Sequence, residues 1–194
     1  MKYLFTIIFS LFILQVNAET KTYAVYHGDK EVGTLVADKI MEGNGNKMHY
    51  QVTSDLKVRI IISIKSFYSS QVTYLNDALS EATAKELRND DVKRNTSTKA
   101  TGNGYSIITT KETFSIDEKI TYSDCLLQFE EPIGVSKIYS ESLGTFASVE
   151  EIEPNKYLVT SSNGDKSEYH YENGECIFFK YLHPLATLQF KLKK

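Results

Sequence analysis

The chain has 194 residues and a formal net charge of −3, from 22 basic and 25 acidic side chains. That balance excludes a nucleic-acid binder, which needs a basic stripe to displace counterions from phosphates. The length suits one domain with a hydrophobic core of its own.

In chain order, Met1-Lys2 is a short basic start and Tyr3 to Leu14 an apolar run. Gln15-Val16-Asn17-Ala18 then places small residues around a cut after Ala18. This reads as a secretory signal peptide over 1–18, too short for a spanning helix of ~20 residues. The expected product is exported, periplasmic or secreted, and is a single β domain at 19–194. No cysteine follows the cut, so no lipid-modified N-terminus is expected, and no later run reaches transmembrane length.

Beyond the signal the dominant pattern has period two. Met48, Tyr50 and Val52 alternate with polar residues, as do Leu56, Val58, Ile60, Ile62 and Ile64, broken only by Ile61, and the phase resumes at Tyr68, Val72 and Tyr74. Such alternation predicts strands with one buried and one wet face, here long and bent, with a bulge near Ser66 or Ser69-Ser70. Tyrosine is abundant (13 residues) and tryptophan absent, which suits half-buried strand positions where the ring packs and the hydroxyl stays wet. Gly28-Asp29, Gly43-Asn44-Gly45-Asn46, Gly102-Asn103-Gly104, Asn163-Gly164 and Asn173-Gly174 supply turn residues at hairpin spacing. Between them further strands are expected at 22–27, 31–41, 105–114, 145–152, 156–161, 166–171 and 176–182, with a last one at 185–192. Hairpin-length connections favour antiparallel pairing.

Three segments depart from this pattern. By propensity Asp77 to Asn89 reads as a helix, yet its apolar residues are too sparse for a helical stripe. The polar run Asn89 to Gly104 reads as a mobile loop or long hairpin tip. Tyr122, Leu126 and Phe129 stand at helical spacing before Pro132, predicting one short helix near 122–131. The fold class expected is therefore all-β: a single, strongly curved antiparallel sheet, a half-barrel or open-barrel meander, with that one helix.

Chemistry is sparse. No G-x-S-x-G, H-E-x-x-H, C-x-x-C or Walker pattern occurs. His27, His49, His170 and His183 lie on separate strands or strand ends without ligand spacing, so neither metal nor cofactor is expected. Glu130-Glu131 and Glu141 are the carboxylates with the spacing for acid/base or cation chemistry, although solvated or capping roles are commoner. No catalytic residue is assigned. Cys125 and Cys176 would, if bonded, close a loop of about 50 residues worth ~4 kcal/mol on the chain-entropy model; the alternative is two buried free thiols.

Four stretches carry a resemblance. They are Tyr23-x-Val25-Tyr26-x-Gly28-Asp29-Lys30-Glu31-Val32-Gly33-Thr34-Leu35, then Ile120-x-Tyr122-Ser123-x-x-Leu126 with Phe129-x-Glu131-Pro132-x-Gly134, then Ser140-Glu141-x-Leu143-Gly144, and Tyr169-x-Tyr171-x-Asn173-Gly174. In this order and spacing they resemble an uncharacterised family of exported bacterial β-proteins, a domain of unknown function. The resemblance implies a turn and strand over 76–82 against its helical propensity, and supplies no catalytic residues. More distantly the pattern is similar to the half-barrel sheets of periplasmic lipoprotein carriers, whose concave apolar face holds acyl chains.

The leading expectation is an exported, non-enzymatic β-protein that binds an apolar small molecule or lipid on a concave face built from Tyr50, Ile60, Ile62 and Tyr68. Against it stands the simpler reading that this face is plain core, packed by the 122–131 helix. Two rivals remain: an envelope assembly component that offers edge strands to a protein partner, and a hydrolase whose residues assemble only in space.

Overall fold

The computed structural model describes residues 17–43, 45–59, 63–182 and 187–194. Among them the strands are β1 (Asn17–His27), β2 (Lys30–Glu42), β3 (Lys47–Arg59), β4 (Ser63–Leu75), β5 (Ala78–Arg88), β6 (Asp91–Thr101), β7 (Gly104–Ile108), β8 (Thr113–Ile116), β9 (Lys137–Ser140), β10 (Thr145–Glu153), β11 (Lys156–Thr160), β12 (Lys166–Glu172), β13 (Glu175–Leu182) and β14 (Leu188–Leu192). They form one antiparallel sheet in the order β8-β7-β6-β5-β4-β3-β2-β1-β14-β13-β12-β11-β10-β9. The meander is broken once, where β14 returns to pair with β1. The end strands β8 and β9 do not pair with each other, so the barrel stays open.

Turn chemistry sets the hairpins. Asn76-Asp77 and Asn89-Asp90 all take positive φ (51°, 58°, 52° and 67°), the backbone of the tight type I′ turns that follow the twist of paired strands. These two turns force Ala78–Arg88 and Asp91–Thr101 into strands. The helical propensity of 77–89 is thereby overridden, and the run 89–104, expected as a mobile loop or long hairpin tip, is mostly strand β6. Thr109 splits the expected 105–114 strand: its Oγ1 accepts the N–H groups of Lys111 and Glu112 at 3.1 and 3.0 Å, a local turn that separates β7 from β8. The stretch 48–74 forms the long strands β3 and β4, whose register runs to Arg59 opposite Ser63. Ile60-Ile61-Ile62, between those two residues in sequence, carries no turn former. The register shift expected near Ser66 or Ser69-Ser70 lies instead between Thr73 and Tyr74, in the pairing of β4 with β5. Strand β9 has no forecast counterpart.

Further shifts between Val25 and Tyr26, between Glu86 and Leu87, and between His170 and Tyr171 add local bend and twist. They curl the sheet until its two ends meet through side chains rather than a ladder. Thr98 Oγ1 and the Tyr139 hydroxyl are 2.6 Å apart, and Thr96 Oγ1 donates to Ser142 O at 2.8 Å. Gly144, at φ +72°, fits against this seam because a Cβ there would stand 2.8 Å from Ile107 Cγ2. Gly33 has the same logic between β2 and β3, where a Cβ would come within 2.0 Å of Asp55 O.

The chain between β8 and β9, residues 117–136, crosses from one end of the sheet to the other as a strap. Leu79 N donates to Ile120 O and Tyr139 N to Tyr122 O, both at 2.9 Å, tying it to β5 and β9. The expected helix is one 3-10 turn in this strap, Asp124–Gln128, with Cys125, Leu126, Leu127 and Gln128 buried. The core lies between strap and inner sheet face.

Candidate functional site

The alternation of β1, β3, β4, β11 and β12 aims a set of tyrosines inward, where their hydroxyls meet the strap. Tyr171 donates to Leu127 O at 2.8 Å, Tyr74 to Ser123 Oγ at 2.9 Å and Tyr157 to Glu131 Oε1 at 2.9 Å. Tyr23 donates to Cys176 O at 2.9 Å, and the Tyr105 hydroxyl accepts from Ile120 N at 3.3 Å. These rings are sealed from solvent, so the wet hydroxyls expected from composition are mostly dry. Burial drives the phenols of Tyr23, Tyr74 and Tyr171 far above their usual range. Each ring thus contributes apolar area and also satisfies a polar group that the irregular strap would otherwise bury unpaired.

The sequence-chosen site residues divide between the two ends of the barrel. Tyr50 is 1% exposed and packs at the strap end, edge-on to Tyr74 at 5.9 Å and tilted against Phe129 at 5.6 Å. Tyr68 is half-buried on the same face, with its phenol pushed well up by burial and by the nearby Glu141 and Asp124. Ile60 and Ile62 lie outside the described residues. At the far end of the barrel, where β4 and β6 begin, inner-face residues Ile64, Ser66, Tyr68, Tyr181 and Leu188 are all half-exposed. There the Tyr181 hydroxyl donates to Asp165 Oδ2 at 2.8 Å, and its phenol also feels Arg94 and Glu86, themselves paired at 2.6 Å. The concave face is therefore packed core under the strap and partly uncovered beyond it.

The three carboxylates singled out in the sequence anchor the strap. Glu130 pairs with Lys39 at 3.0 Å and accepts from the Tyr50 hydroxyl at 3.3 Å; Glu131 holds Tyr157. Phe129 lies between two lysines, with Lys21 Nζ 5.6 Å and Lys39 Nζ 5.9 Å from its ring centre. Lys21 is itself buried and paired with Glu19 and Glu175.

Glu141 is the unusual member. It is 1% exposed, its Oε1 accepts Cys125 N–H at 3.1 Å at the start of the 3-10 turn, and its Oε2 has no hydrogen-bond partner among the described residues. Desolvation raises its carboxyl above the ordinary range, and Asp124 is raised well above it by burial and then by the Glu141 charge. Sequence reading noted Glu141 but not Asp124, Gln128, Thr96 or Thr98. The motif Ser140-Glu141-x-Leu143-Gly144 was the available signal for that seam.

Cys125 and Cys176 are both buried and both free. Desolvation pushes the Cys125 thiol well up and that of Cys176 to about 12, which removes the thiolate needed for nucleophilic chemistry. His49 contacts Thr73 Oγ1 at 3.1 Å and Glu42 at 3.2 Å, while His170 contacts Glu168 at 2.6 Å on another part of the sheet. His183 lies outside the described residues. Among the described residues no group of three or more His, Cys, Asp or Glu side chains could hold a metal ion.

The family model for a domain of unknown function, DUF6134, matches residues 23–193. The chain belongs to that family. All four sequence stretches that carried the resemblance fall within the matched residues, and together they include Glu131, Glu141 and Gly144. The fold is similar to the crystal structure of a beta-barrel-like protein of domain of unknown function DUF1849 from Brucella abortus. The two share 9% identity at a TM-score of 0.51, over 94% of this chain and 98% of that one, a likeness of fold. No curated protein matches this DUF6134 chain in sequence. Among the described residues no helix is long and apolar enough to cross a membrane.

Proposed function

We propose that this chain is an exported, non-enzymatic binding module that takes up an apolar small molecule or lipid at the end of the barrel away from the strap. The observation that carries this reading is the uneven sealing of one continuous apolar face. Tyr50, Tyr74 and Val72 are closed under the strap, whereas Ile64, Tyr68, Tyr181 and Leu188 stay half-exposed on the same side of the sheet. A folded chain gains by burying such residues, and leaving several wet together marks a binding surface rather than scattered exposure. Ile60 and Ile62 continue the same alternation in sequence. Pairing of a protein partner with an edge strand has less to work with: β8 and β9 have four residues each, and β9 is already bonded to the strap.

The test is titration with a fatty acid and with an environment-sensitive apolar dye. Wild type is expected to bind both, and Tyr68→Ala and Ile62→Ala to weaken binding while costing less stability than Tyr50→Ala. The last removes a sealed core ring and should cost about 3–5 kcal/mol. No binding by wild type, or core-level destabilisation by Ile62→Ala without any dye uptake, would refute the reading. Export is tested separately, by mass spectrometry of the protein from its source. An N-terminus at Glu19 is expected, and retention of Met1 in the cytoplasm would refute it.

A further inference from the structure

A sealed carboxyl, Glu141, holds the centre of the strap, and a second acid, Asp124, stands beside the point where it bonds. Asp124 opens the 3-10 turn, and Glu141 comes from the β9–β10 connection to accept the next N–H, that of Cys125. The same connection is held against the opposite end of the sheet by Thr96, through Ser142 O, and by the fit of Gly144 against Ile107. A single carboxyl-bearing turn therefore touches both the strap and the seam that keeps the barrel curled.

The groups that face this pair come from every packed element. They are Tyr68, Tyr74 and, beside Tyr68, Ser70 on β4, Cys125 and Ser123 on the strap, Tyr139 and Ser140 on β9, and Tyr169 on β12. No lysine, arginine or histidine is among the groups acting most strongly on either acid. Among the described residues three buried side-chain polar atoms have no hydrogen-bond partner, Glu141 Oε2, Ser70 Oγ and, further along the strap, Gln128 Oε1. Asp124 keeps part of its surface on solvent while Glu141 is sealed, so ionising both would set a second charge beside a buried carboxylate, whereas a pair that keeps a proton carries less charge into the interior. The facing phenols and the thiol are all pushed upward, Tyr139 to about 12, so they remain neutral through the physiological range. Only the acids are left to respond.

We propose that Asp124 and Glu141 form a proton-dependent latch, closed on the strap while the pair keeps a proton and opened when both carboxyls ionise. The linkage has a definite sign. Both groups are raised in the fold, so they hold protons that the unfolded or undocked chain gives up near pH 4. Docking of the strap is then favoured at mildly acid pH and lost as pH rises through the folded values, the reverse of acid denaturation driven by ion-paired carboxylates. Each proton released on opening raises the opening constant on the order of tenfold per pH unit across that window. The inference needs no ligand and shares only Tyr68 with the binding surface above, so its test leaves Tyr68 unchanged.

The protein carries its own reporter, because Cys125 lies in the latch and Cys176 on β13. Reduced protein is treated with N-ethylmaleimide under native conditions from pH 5.5 to 8.5, with a small free thiol run alongside to remove the intrinsic pH dependence. Labelling at the two positions is read by mass spectrometry. Cys125 is expected to label faster than Cys176 at the alkaline end, with a corrected rate that climbs with pH. Glu141→Gln is expected to flatten that climb, and Asp124→Asn serves the same purpose if the first variant folds poorly. Equal labelling of the two thiols at every pH would show that they are reached only through global unfolding and would overturn the latch. So would a corrected Cys125 rate in wild type that does not change with pH.

Discussion

Leu127→Ala tests whether the strap is core or merely lies over it. Leu127 is fully buried in the 3-10 turn, and its carbonyl is held by the Tyr171 hydroxyl at 2.8 Å. That hydrogen bond remains after the substitution and hinders the backbone from settling into the space vacated. Three buried carbons at about 0.8 kcal/mol each give roughly 2.4 kcal/mol of lost transfer energy. An uncollapsed cavity takes such substitutions toward the upper part of their range, so about 4 kcal/mol is expected. With an m-value of about 2 kcal/mol/M in urea, the midpoint should fall by about 2 M. The assay is a urea melt followed by far-UV circular dichroism and by tyrosine fluorescence, which no tryptophan obscures. Ile133→Ala is the internal control: it stands on the same strap, 75% exposed, and should cost no more than about 0.5 kcal/mol. A loss below about 1 kcal/mol for Leu127→Ala would refute the argument, because it would mean that the strap leaves the sheet at little cost and that the core lies elsewhere.

Gly144→Ala should destabilise by roughly 1–3 kcal/mol, since it combines φ +72° with a Cβ 2.8 Å from Ile107 Cγ2; a neutral thermal melt would contradict the tight seam. Alkylation of Cys125 and Cys176 after unfolding without reductant should modify both, and an unreactive pair would show that they are bonded in solution. Burial alone would raise the Glu168 carboxyl, but Lys180 and His170 outweigh it and hold it below the usual range. It therefore contributes stability above about pH 4 that is lost as pH falls through its folded value. Glu168→Gln should cost up to about 1 kcal/mol at pH 7 and less at pH 3, in paired melts; an equal loss at both would remove the ion pair from the account.

Much of the strand content follows from local sequence. Period-two alternation and turn residues predict most of the hairpins, because a strand face and a tight turn are decided within a few neighbouring residues. Asn76-Asp77 and Asn89-Asp90 belong to the same class of signal: two turn formers in succession that tolerate positive φ, enough to override the helical propensity of the segment between them. The boundary at Arg59 and Ser63 was not legible, since the three isoleucines between them include no Gly, Pro, Asn or Asp. The candidate site was legible only in part. Tyr50 and Tyr68 share a face by parity, but parity does not say that one is sealed by Phe129 and the other left half-exposed.

What the sequence determined by itself is therefore the repertoire: antiparallel strands, their inward faces, and one short helical turn before Pro132. What tertiary structure decided is where the strap goes. Its position rests on contacts between residues far apart in the chain, such as Tyr171 with Leu127, Tyr74 with Ser123 and Thr98 with Tyr139. Those contacts form only after the sheet has curled far enough to bring its ends together, and the curl is the summed effect of several register shifts along the strands. No single local window carries that sum. For that reason Glu141, which local reading treats as a surface charge at a turn, lies buried against the strap beside Asp124.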